Sequence, residues 1–557
     1  MKKKIVCTLL LTGTILMTAC GQSRAPMDTA ATNAGNYARD YEEAASADWD
    51  VCVEAAEASP EAGNALGSYF AAMEPADEYV VTEDFQREGY NNIEESGFVS
   101  VQTQPFSTFA ADVDTACYAN LRRTVTNGYG MDASALRIEE LINYFDYDYK
   151  TPQNGDKFGV VTTYTACPWN ENSKLLRVGI KAEEVPVSGG SNLVFLIDTS
   201  GSMFDDDKLP LVQKAFRILA KQLSGEDTVS IVTYAGSDTV VLEGARGDDT
   251  REIMKAIDGL EAYGSTNGEG GIRRAYEIAE KYYIDGGNNR VILATDGDLN
   301  VGVSSEAGLT DLIEEEKETG VMLSCLGFGT GNYMDDKMEA LADHGNGNYS
   351  YIDCEAEAEK VLREELFSTL YTVAKDVKFQ VEFNPAAVQG YRLIGYENRK
   401  MAAEDFADDK KDGGEVGSGQ TVTVLYEVLP VGSAEEAPVV ASRYQNNATA
   451  HTDELHTAEN ADELLVVNIR YKEPEAEESV LKTYPVTTDM YREEMDADTS
   501  FAAGVAQLGM LVRDSELKGS TTYTAVYDRL KSLPQITDDD QKLEFLTLIK
   551  KCEKQFS

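Results

Sequence analysis

The feature that most constrains the fold is an apolar run that ends in a short polar loop and leads into a helical stretch. The run is Leu193–Ile197, the loop is residues 198–202 (DTSGS), and the helical stretch covers residues 209–223. In an open α/β sheet, ligand sites form beyond the carboxyl ends of the strands, where the loops diverge. The loop therefore places one carboxylate and two hydroxyls where such a sheet binds ligands. This layout is typical of a divalent-metal site.

Two further polar segments follow the same pattern. Residues 264–268 (GSTNG) precede a helical pattern over residues 271–284, and residues 294–297 (ATDG) end the apolar run Val291–Ala294. Continuous apolar runs alternate here with helical stretches, as expected of a doubly wound parallel sheet whose strands are covered on both faces. We therefore predict that the three polar segments converge at one edge of the sheet.

Together the three segments resemble the von Willebrand factor type A (VWA) domain and its metal-ion-dependent adhesion site, over about residues 192–370. The resemblance implies three metal-binding loops. Asp198, Ser200 and Ser202 belong to the first loop, Thr266 to the second and Asp296 to the third. It implies a divalent cation, Mg²⁺ first, with Mn²⁺ or Ca²⁺ as alternatives. Because most of these ligands are neutral, Mg²⁺ would stay able to accept a carboxylate from a partner. The alternative is that the Ser and Thr residues only cap helices.

Segments on either side resemble a bacterial family of surface lipoproteins, in which a VWA domain lies between a characteristic N-terminal segment and a C-terminal domain of unknown function. The segments are residues 107–123, Arg137–Phe145 and Tyr391–Arg399. Strand-like runs also flank the VWA region, at residues 158–166 and 174–183 before it and 377–383, 421–429 and 464–471 after it. Because neither set is large enough to close a sandwich alone, we predict that both pair into one β-sandwich that carries the VWA domain as an insertion.

The expected fold class is therefore α/β. A doubly wound, mostly parallel VWA sheet of Rossmann-like type is inserted in a β-sandwich-like flanking domain, with C-terminal helices and a disordered N-terminal tether. The expected segments are a signal peptide (1–19), an acidic flexible tether (20–85), an N-terminal flanking segment (86–185), the VWA domain (186–375), a β-rich domain (376–485) and a helical C-terminal region (486–557). The tether is expected because ten acidic residues and no Lys or Arg lie between Tyr41 and Val80, a composition that cannot bury enough apolar surface to fold.

The N-terminus resembles a lipoprotein signal peptide. A basic stretch, Lys2–Lys4, precedes an apolar run over residues 5–17, and Ala19 stands before Cys20. The apolar run is shorter than the roughly 20 residues that a spanning helix needs. We therefore expect lipidation of Cys20 and anchoring to the cell membrane on its extracytoplasmic face, with a plain transmembrane anchor as the alternative.

The remaining polar groups give weaker signals. The formal net charge of −48 argues against nucleic acid as a partner, because phosphate binding needs clustered Lys and Arg. The six cysteines besides Cys7 and Cys20 show no metal-ligand spacing and are expected to be mostly unpaired; they are Cys52, Cys117, Cys167, Cys325, Cys354 and Cys552. His451 and His456 are expected in an exposed loop, and Asp114 or Thr115 is expected to cap the helix that follows. The run Asp205–Asp207 is expected at a solvated helix start, with shaping of a second cation or repulsion of wrong ligands as alternatives.

The leading functional hypothesis is a membrane-anchored, extracytoplasmic protein-binding module of the adhesion type, whose metal site engages an Asp or Glu side chain of a partner. The alternative is an envelope structural or assembly protein in which the cation only orders the VWA loops. An enzyme is not expected. The sequence contains no HExxH, P-loop or GxSxG motif, and its three scattered histidines do not readily supply a general base for the serines.

Overall fold

The computed structural model describes Tyr90 and most of the chain from residue 93 to residue 557. The gaps within that range are residues 112–113, 154, 186–188, 266–267, 298–305, 331–332, 366–370, 412, 439–461, 475 and 477. The predictions for the signal peptide, the tether, Cys20, Cys52, Thr266, His451 and His456 therefore lie outside the described residues.

The described strands form three sheets, and helices lie between and beside them. The strands are β1 Val99–Ser100, β2 Phe106–Ala110, β3 Phe158–Ala166, β4 Lys174–Ala182, β5 Ser191–Asp198, β6 Thr228–Tyr234, β7 Asp238–Arg246, β8 Asn288–Thr295, β9 Met322–Phe328, β10 Tyr349–Ile352, β11 Thr372–Phe383, β12 Val388–Ile394, β13 Val416–Gly417, β14 Thr421–Pro430, β15 Glu463–Lys472, β16 Ser479–Thr487 and β17 Tyr491–Arg492. The α-helices are α1 Ala116–Thr126, α2 Ile138–Asn143, α3 Leu209–Ala220, α4 Thr250–Asp258, α5 Gly268–Lys281, α6 Glu306–Lys317, α7 Asp335–His344, α8 Glu355–Glu359, α9 Ala497–Val512, α10 Tyr523–Leu530 and α11 Asp540–Phe556.

The central sheet has the strand order β10-β9-β8-β5-β6-β7. Its neighbours run parallel except for β7, which pairs antiparallel with β6 at one edge. All eight residues of β5 are buried, because apolar side chains of α3, α4 and α8 cover one face of the sheet and those of α5, α6 and α7 cover the other. The prediction of a doubly wound, mostly parallel sheet is confirmed.

Two further sheets face each other as a sandwich. Their orders are β1-β12-β14-β4-β3-β17 and β13-β11-β15-β16, with β2 also paired to β11. β4 precedes the VWA sheet and β14 follows it, yet the two pair antiparallel along eight residues, with Val178 opposite Val424. The inner faces of both sheets share one apolar core. This confirms the prediction that strands from both sides of the VWA region form one β-sandwich around the insertion.

The sheet that contains β4 is buried on both faces. Leu176 points into the sandwich core, whereas its neighbour Leu175 packs with the helices α1, α2 and α9 to α11 on the other side. This follows from the alternation of side chains along a strand. The sequence pattern over residues 133–144 predicts one helix, and this prediction is wrong. Residues 133–144 do not form a single helix, because Leu136 and Arg137 adopt extended backbone between a short 3₁₀ turn, Ala133–Ala135, and α2.

In the part of the chain that is described, none of the helices combines the length and apolar character needed to span a bilayer.

Candidate metal site

The first loop of the site begins at Asp198, the last residue of β5, whose side chain is fully buried. Its Oδ1 accepts a hydrogen bond of 2.8 Å from the backbone N–H of Ser200. Its Oδ2 accepts one of 2.9 Å from the hydroxyl of Thr295, which ends the neighbouring strand β8. The carboxylate is therefore held in a fixed orientation between the carboxyl ends of two adjacent parallel strands, where ligand sites of open α/β sheets form.

Two serine hydroxyls lie beside this carboxylate. The Oγ atoms of Ser200 and Ser202 are 2.9 Å apart. Ser200 is buried, whereas Ser202 is partly exposed, so the pair opens towards solvent. Two neighbouring ligands of an octahedral Mg²⁺, each about 2.0–2.1 Å from the ion, are about 2.9 Å apart. The spacing of the two hydroxyls therefore suits a shared cation without rearrangement.

The second predicted loop is joined to the first by backbone hydrogen bonds. The backbone N–H of Tyr263 donates to the carbonyl of Thr199 at 2.7 Å, and the N–H of Gly201 donates to the carbonyl of Gly264 at 3.1 Å. These bonds bring residues 263–264 against the first loop. Thr266 follows two residues later but is outside the described residues, so its place among the ligands stays a prediction.

The third loop contributes Asp296, a buried residue that directly follows β8. Its Oδ2 lies 3.0 Å from the ammonium nitrogen of Lys208, which is also buried. Burial, and then the charge of Asp296, raise the pKa of Asp198 to about 6. The two carboxylates therefore repel each other in a poorly solvated place, and the site favours added positive charge.

The described donors fit a hard divalent cation. They are carboxylate and hydroxyl oxygens, the ligand types that Mg²⁺, Mn²⁺ and Ca²⁺ prefer. The structure brings together Asp198, Ser200 and Ser202 through direct hydrogen bonds, and Asp296 lies close enough to affect the titration of Asp198. Sequence reasoning did not single out Lys208, although it stands directly before α3, because a lysine at a helix start carries no pattern of its own.

A second group of carboxylates lies between the VWA sheet and the flanking segments. Oxygens of Asp114, Glu140 and Glu339 all lie within 4.8 Å of one another, and all three residues are buried. Arg137 pairs with Glu140 at 2.9 Å and with Glu339 at 2.8 Å, while Arg399 pairs with Asp114 at 2.8 Å and with Glu339 at 3.2 Å. We call these five residues the junction cluster. Since guanidinium groups already supply its positive charge, the cluster is a structural connection.

The predicted cap of α1 was wrong. Thr115 makes no side-chain capping bond, and the Asp114 carboxylate accepts instead from the backbone N–H of Tyr349 at 3.0 Å and from Arg399. Glu140 Oε2 accepts from the N–H of Cys117 in the first turn of α1, at 2.9 Å. A carboxylate from another helix therefore satisfies the buried helix start, because the fold brings α2 against α1.

The prediction of unpaired cysteines is confirmed for the described ones. They are Cys117, Cys167, Cys325, Cys354 and Cys552. Cys325 lies buried within β9, and burial raises the pKa of its thiol.

Comparisons with known proteins agree with this architecture. Residues 192–364 match the von Willebrand factor type A domain family, residues 84–177 match a family described as von Willebrand factor, and residues 368–555 match the family described as Uncharacterized protein YfbK, C-terminal. The chain is thus a VWA-domain protein with a distinct C-terminal domain. It is 40% identical over 472 residues to Uncharacterized protein YfbK of Escherichia coli (strain K12). The aligned residues cover 83% of this chain and 80% of that protein. The chain therefore belongs to the YfbK family.

More distant similarities involve the VWA region or the fold. Human inter-alpha-trypsin inhibitor heavy chain H3 is 28% identical over 191 residues, which cover 32% of this chain and 21% of that protein. Among solved structures, a von Willebrand factor type A protein from Catenulispora acidiphila is 16% identical with a TM-score of 0.39, covering 72% of this chain and 91% of that one. VWA domains in general mediate protein–protein interactions, and they commonly bind a divalent cation at a site of this kind.

Proposed function

We propose that the protein is a membrane-anchored, extracytoplasmic protein-binding module of the adhesion type. In this proposal a divalent cation, Mg²⁺ first, is held by Asp198, Ser200, Ser202, Thr266 and Asp296, and an acidic side chain of a partner completes its coordination. The observation that carries the proposal is the fixed Asp198 carboxylate beside two hydroxyls that are 2.9 Å apart and open towards solvent.

The carboxylate and the hydroxyls of the site have different roles in binding the cation. Asp198 supplies a buried negative charge in a single orientation, since both of its oxygens already accept hydrogen bonds. Ser200 and Ser202 supply neutral oxygens, which leave most of the cation's charge uncompensated. The bound cation would act as a Lewis acid for the partner's carboxylate. A partner that presents a neutral amide in place of that carboxylate would bind more weakly.

Binding is favoured over catalysis by the hydrogen bonds of the two serines. Their hydroxyl oxygens lie within hydrogen-bonding distance of each other, whereas a nucleophilic serine needs an adjacent general base. Lys208, the cation that contacts the third loop, is paired with Asp296. This arrangement supports a ligand-binding site.

The membrane anchor is supported by the N-terminal sequence. Lys2–Lys4, the apolar run that follows them and the pair Ala19 and Cys20 have the layout of a lipoprotein signal peptide. Lipidation of Cys20 would hold the VWA domain at the extracytoplasmic face of the cell membrane, where it can meet a protein partner.

The raised pKa of Asp198 favours one alternative, a structural or assembly role. Because burial and the charge of Asp296 disfavour the charged form of Asp198, a cation would stabilise the loops even if no partner touched it. The two roles differ in what chelation does. For a binding module, EDTA abolishes capture of envelope proteins while the thermal unfolding of the protein stays cooperative. For a structural cation, EDTA loosens the fold itself.

The experiment compares the full chain and its Asp198→Ala variant as baits for native envelope extract, with Mg²⁺ or with EDTA. Thermal unfolding is followed by circular dichroism in the same buffers. We expect partners that are captured only by the wild-type protein in Mg²⁺, with cooperative unfolding in all four samples. Identical capture in EDTA would overturn the proposal.

A further inference from the structure

Two aromatic side chains are exposed beside the candidate metal site. Phe204 is 77% exposed and Tyr263 is 67% exposed, the two highest values for large apolar side chains among the described residues. Single exposed apolar residues are common on protein surfaces. Here, however, both lie on the loops of one site, since Phe204 stands two residues after Ser202 and Tyr263 stands three residues before Thr266. We call Phe204 and Tyr263 the aromatic rim.

Packing and hydrogen bonds hold the backbone of both residues in place. Met203, between Ser202 and Phe204, is fully buried in the core of the VWA domain. It anchors the 3₁₀ turn Gly201–Phe204, so the outward position of Phe204 is set by a packed neighbour. The backbone N–H of Tyr263 donates to the carbonyl of Thr199 at 2.7 Å. The aromatic rim therefore belongs to the same hydrogen-bonded pair of loops as the serine hydroxyls.

Two exposed carboxylates directly follow Phe204 of the aromatic rim. Asp205 and Asp206 are exposed, and neither forms an ion pair within the described part of the chain. The next residue, Asp207, differs because it accepts a hydrogen bond of 3.2 Å from the hydroxyl of Thr330. None of the three makes a capping bond to α3, which begins at Leu209 without a side-chain cap. We call Asp205 and Asp206 the acidic rim.

This surface has three kinds of binding group on two loops that are hydrogen-bonded to each other. A cation site attracts a carboxylate, an exposed aromatic pair favours apolar contact, and two free carboxylates favour basic side chains and repel additional acidic ones. Resting on the function proposed above, we propose that the partner is a protein segment that carries an apolar or aromatic residue and a Lys or Arg close to its metal-binding Asp or Glu. The net charge of −48 adds a general preference for a partner with basic surroundings.

The chain geometry limits the spacing in the partner. The Cα atoms of Ser202 and Phe204 are at most about 7 Å apart, since neighbouring Cα atoms are 3.8 Å apart. An extended partner segment advances by about 3.3 Å per residue. We therefore expect the apolar residue within about three positions of the acidic one. Truncating an aromatic residue at the centre of an interface commonly weakens binding by about tenfold or more.

The test uses an array of synthetic nonapeptides with a central Asp and one randomised position at a time, probed with the full chain in Mg²⁺. A second array carries a central Asn. The variants are Phe204→Ser with Tyr263→Ser for the aromatic rim, and Asp205→Asn with Asp206→Asn for the acidic rim. Tyr283→Ser is the matched control, because Tyr283 is 46% exposed and precedes the opposite end of strand β8. Calorimetric Mg²⁺ affinity is measured for every variant.

We expect wild-type binding to require the central Asp and to favour apolar residues and Lys or Arg within three positions of it. The aromatic-rim variant should lose the apolar preference, and the acidic-rim variant should lose the basic preference, each by about tenfold. Both variants and the Tyr283→Ser control should bind Mg²⁺ like the wild type. Binding that needs the central Asp but shows no flanking preference would overturn this inference and leave the proposed function intact. Equal binding to the Asp and Asn arrays would overturn the proposed function and this inference with it.

Discussion

The ammonium nitrogen of Lys208 lies 3.0 Å from Oδ2 of Asp296, and both side chains are buried. This ion pair places a built-in positive charge next to Asp296, one of the two carboxylates of the candidate metal site. Because the charge of Lys208 offsets that of Asp296, the loops can place Asp198 and Asp296 close together before a divalent cation binds. Lys208 also packs against the backbone of Gly329, where a Cβ atom would lie 2.4 Å from Lys208 Cγ, so the position of the lysine is fixed by the loop that follows β9.

Replacing Lys208 with Met should destabilise the protein in EDTA by about 3–5 kcal/mol, because the buried Asp296 would lose its partner. Mg²⁺ should restore more stability to this variant than to the wild type, since it supplies the missing charge. Thermal unfolding in EDTA and in Mg²⁺ measures both effects. The control is Lys214→Met on the same helix, whose side chain is 54% exposed. Equal unfolding of the two variants in EDTA would contradict the assignment of Lys208.

The contribution of the junction cluster to the stability of the protein should depend strongly on Arg137. This residue donates to Glu140, Asp335 and Glu339, all of which are buried. Arg137→Met would leave three buried carboxylates without that partner, and we expect a loss of about 3–5 kcal/mol in the free energy of unfolding.

The matched control for this prediction is Arg274→Met. Arg274 is partly exposed and pairs with Glu277, whose side chain is 63% exposed, so the expected loss is below about 1 kcal/mol. Urea unfolding of the two variants provides the comparison. Similar losses in both would show that the junction cluster contributes no more than a surface ion pair.

The junction cluster should also make stability depend on pH. Burial raises the pKa of Glu339 to about 7, against the lowering effect of Arg137 and Arg399, whereas an unfolded Glu has a pKa of about 4.3. The folded state then binds a proton more tightly than the unfolded state. The resulting stability is fully present below about pH 4.3 and is lost as the pH rises through about 7.

Glu339→Gln, which cannot titrate, isolates this effect from the other carboxylates of the cluster. We expect the difference in Tm, wild type minus variant, to become more negative between pH 5 and pH 7.5. Differential scanning calorimetry at a series of pH values gives this difference directly. A difference that does not change with pH would show that Glu339 titrates alike in the folded and unfolded states.

Cys20→Ser should remove the lipid anchor. We expect the variant to leave the membrane fraction or to stay unprocessed, because no other residue could take the acyl chains at the predicted cleavage site. Cell fractionation and intact mass measurement test this, with Cys52→Ser as the control for a nearby cysteine. Recovery of the wild-type protein as a soluble, unmodified chain would contradict the prediction.

The strands and loops that carry the candidate site could be predicted because their signal is local. β5 and β8 are buried on both faces and appear as continuous apolar runs, so the polar residues that end them stand out. Among the sandwich strands that were missed, β12 and β16 were missed for the opposite reason. β16 is an edge strand in which only Val486 is buried, and β12 contains Gln389, Gly390 and Arg392 among its seven residues.

The polar partners were less predictable than the strands. The bond from Cys117 to Glu140 joins residues 23 positions apart, and the bond from Tyr349 to Asp114 joins residues 235 positions apart. Periodicity within one element carries no information about such pairs. The first bond forms only when α2 packs against α1. The second forms only when the N-terminal segment meets β10, the last strand of the VWA sheet, which is why a cap within the same segment was the wrong expectation for Asp114.

Titration calorimetry of the full chain with Mg²⁺ and Mn²⁺ tests most directly whether the loop beginning at Asp198 holds a divalent cation. Asp198→Ala is compared with the wild type, and Asp285→Ala, an exposed aspartate that follows α5, is the control. We predict one saturable site in the wild type and in Asp285→Ala, and its loss in Asp198→Ala with cooperative unfolding retained. Unchanged affinity in Asp198→Ala would contradict the account.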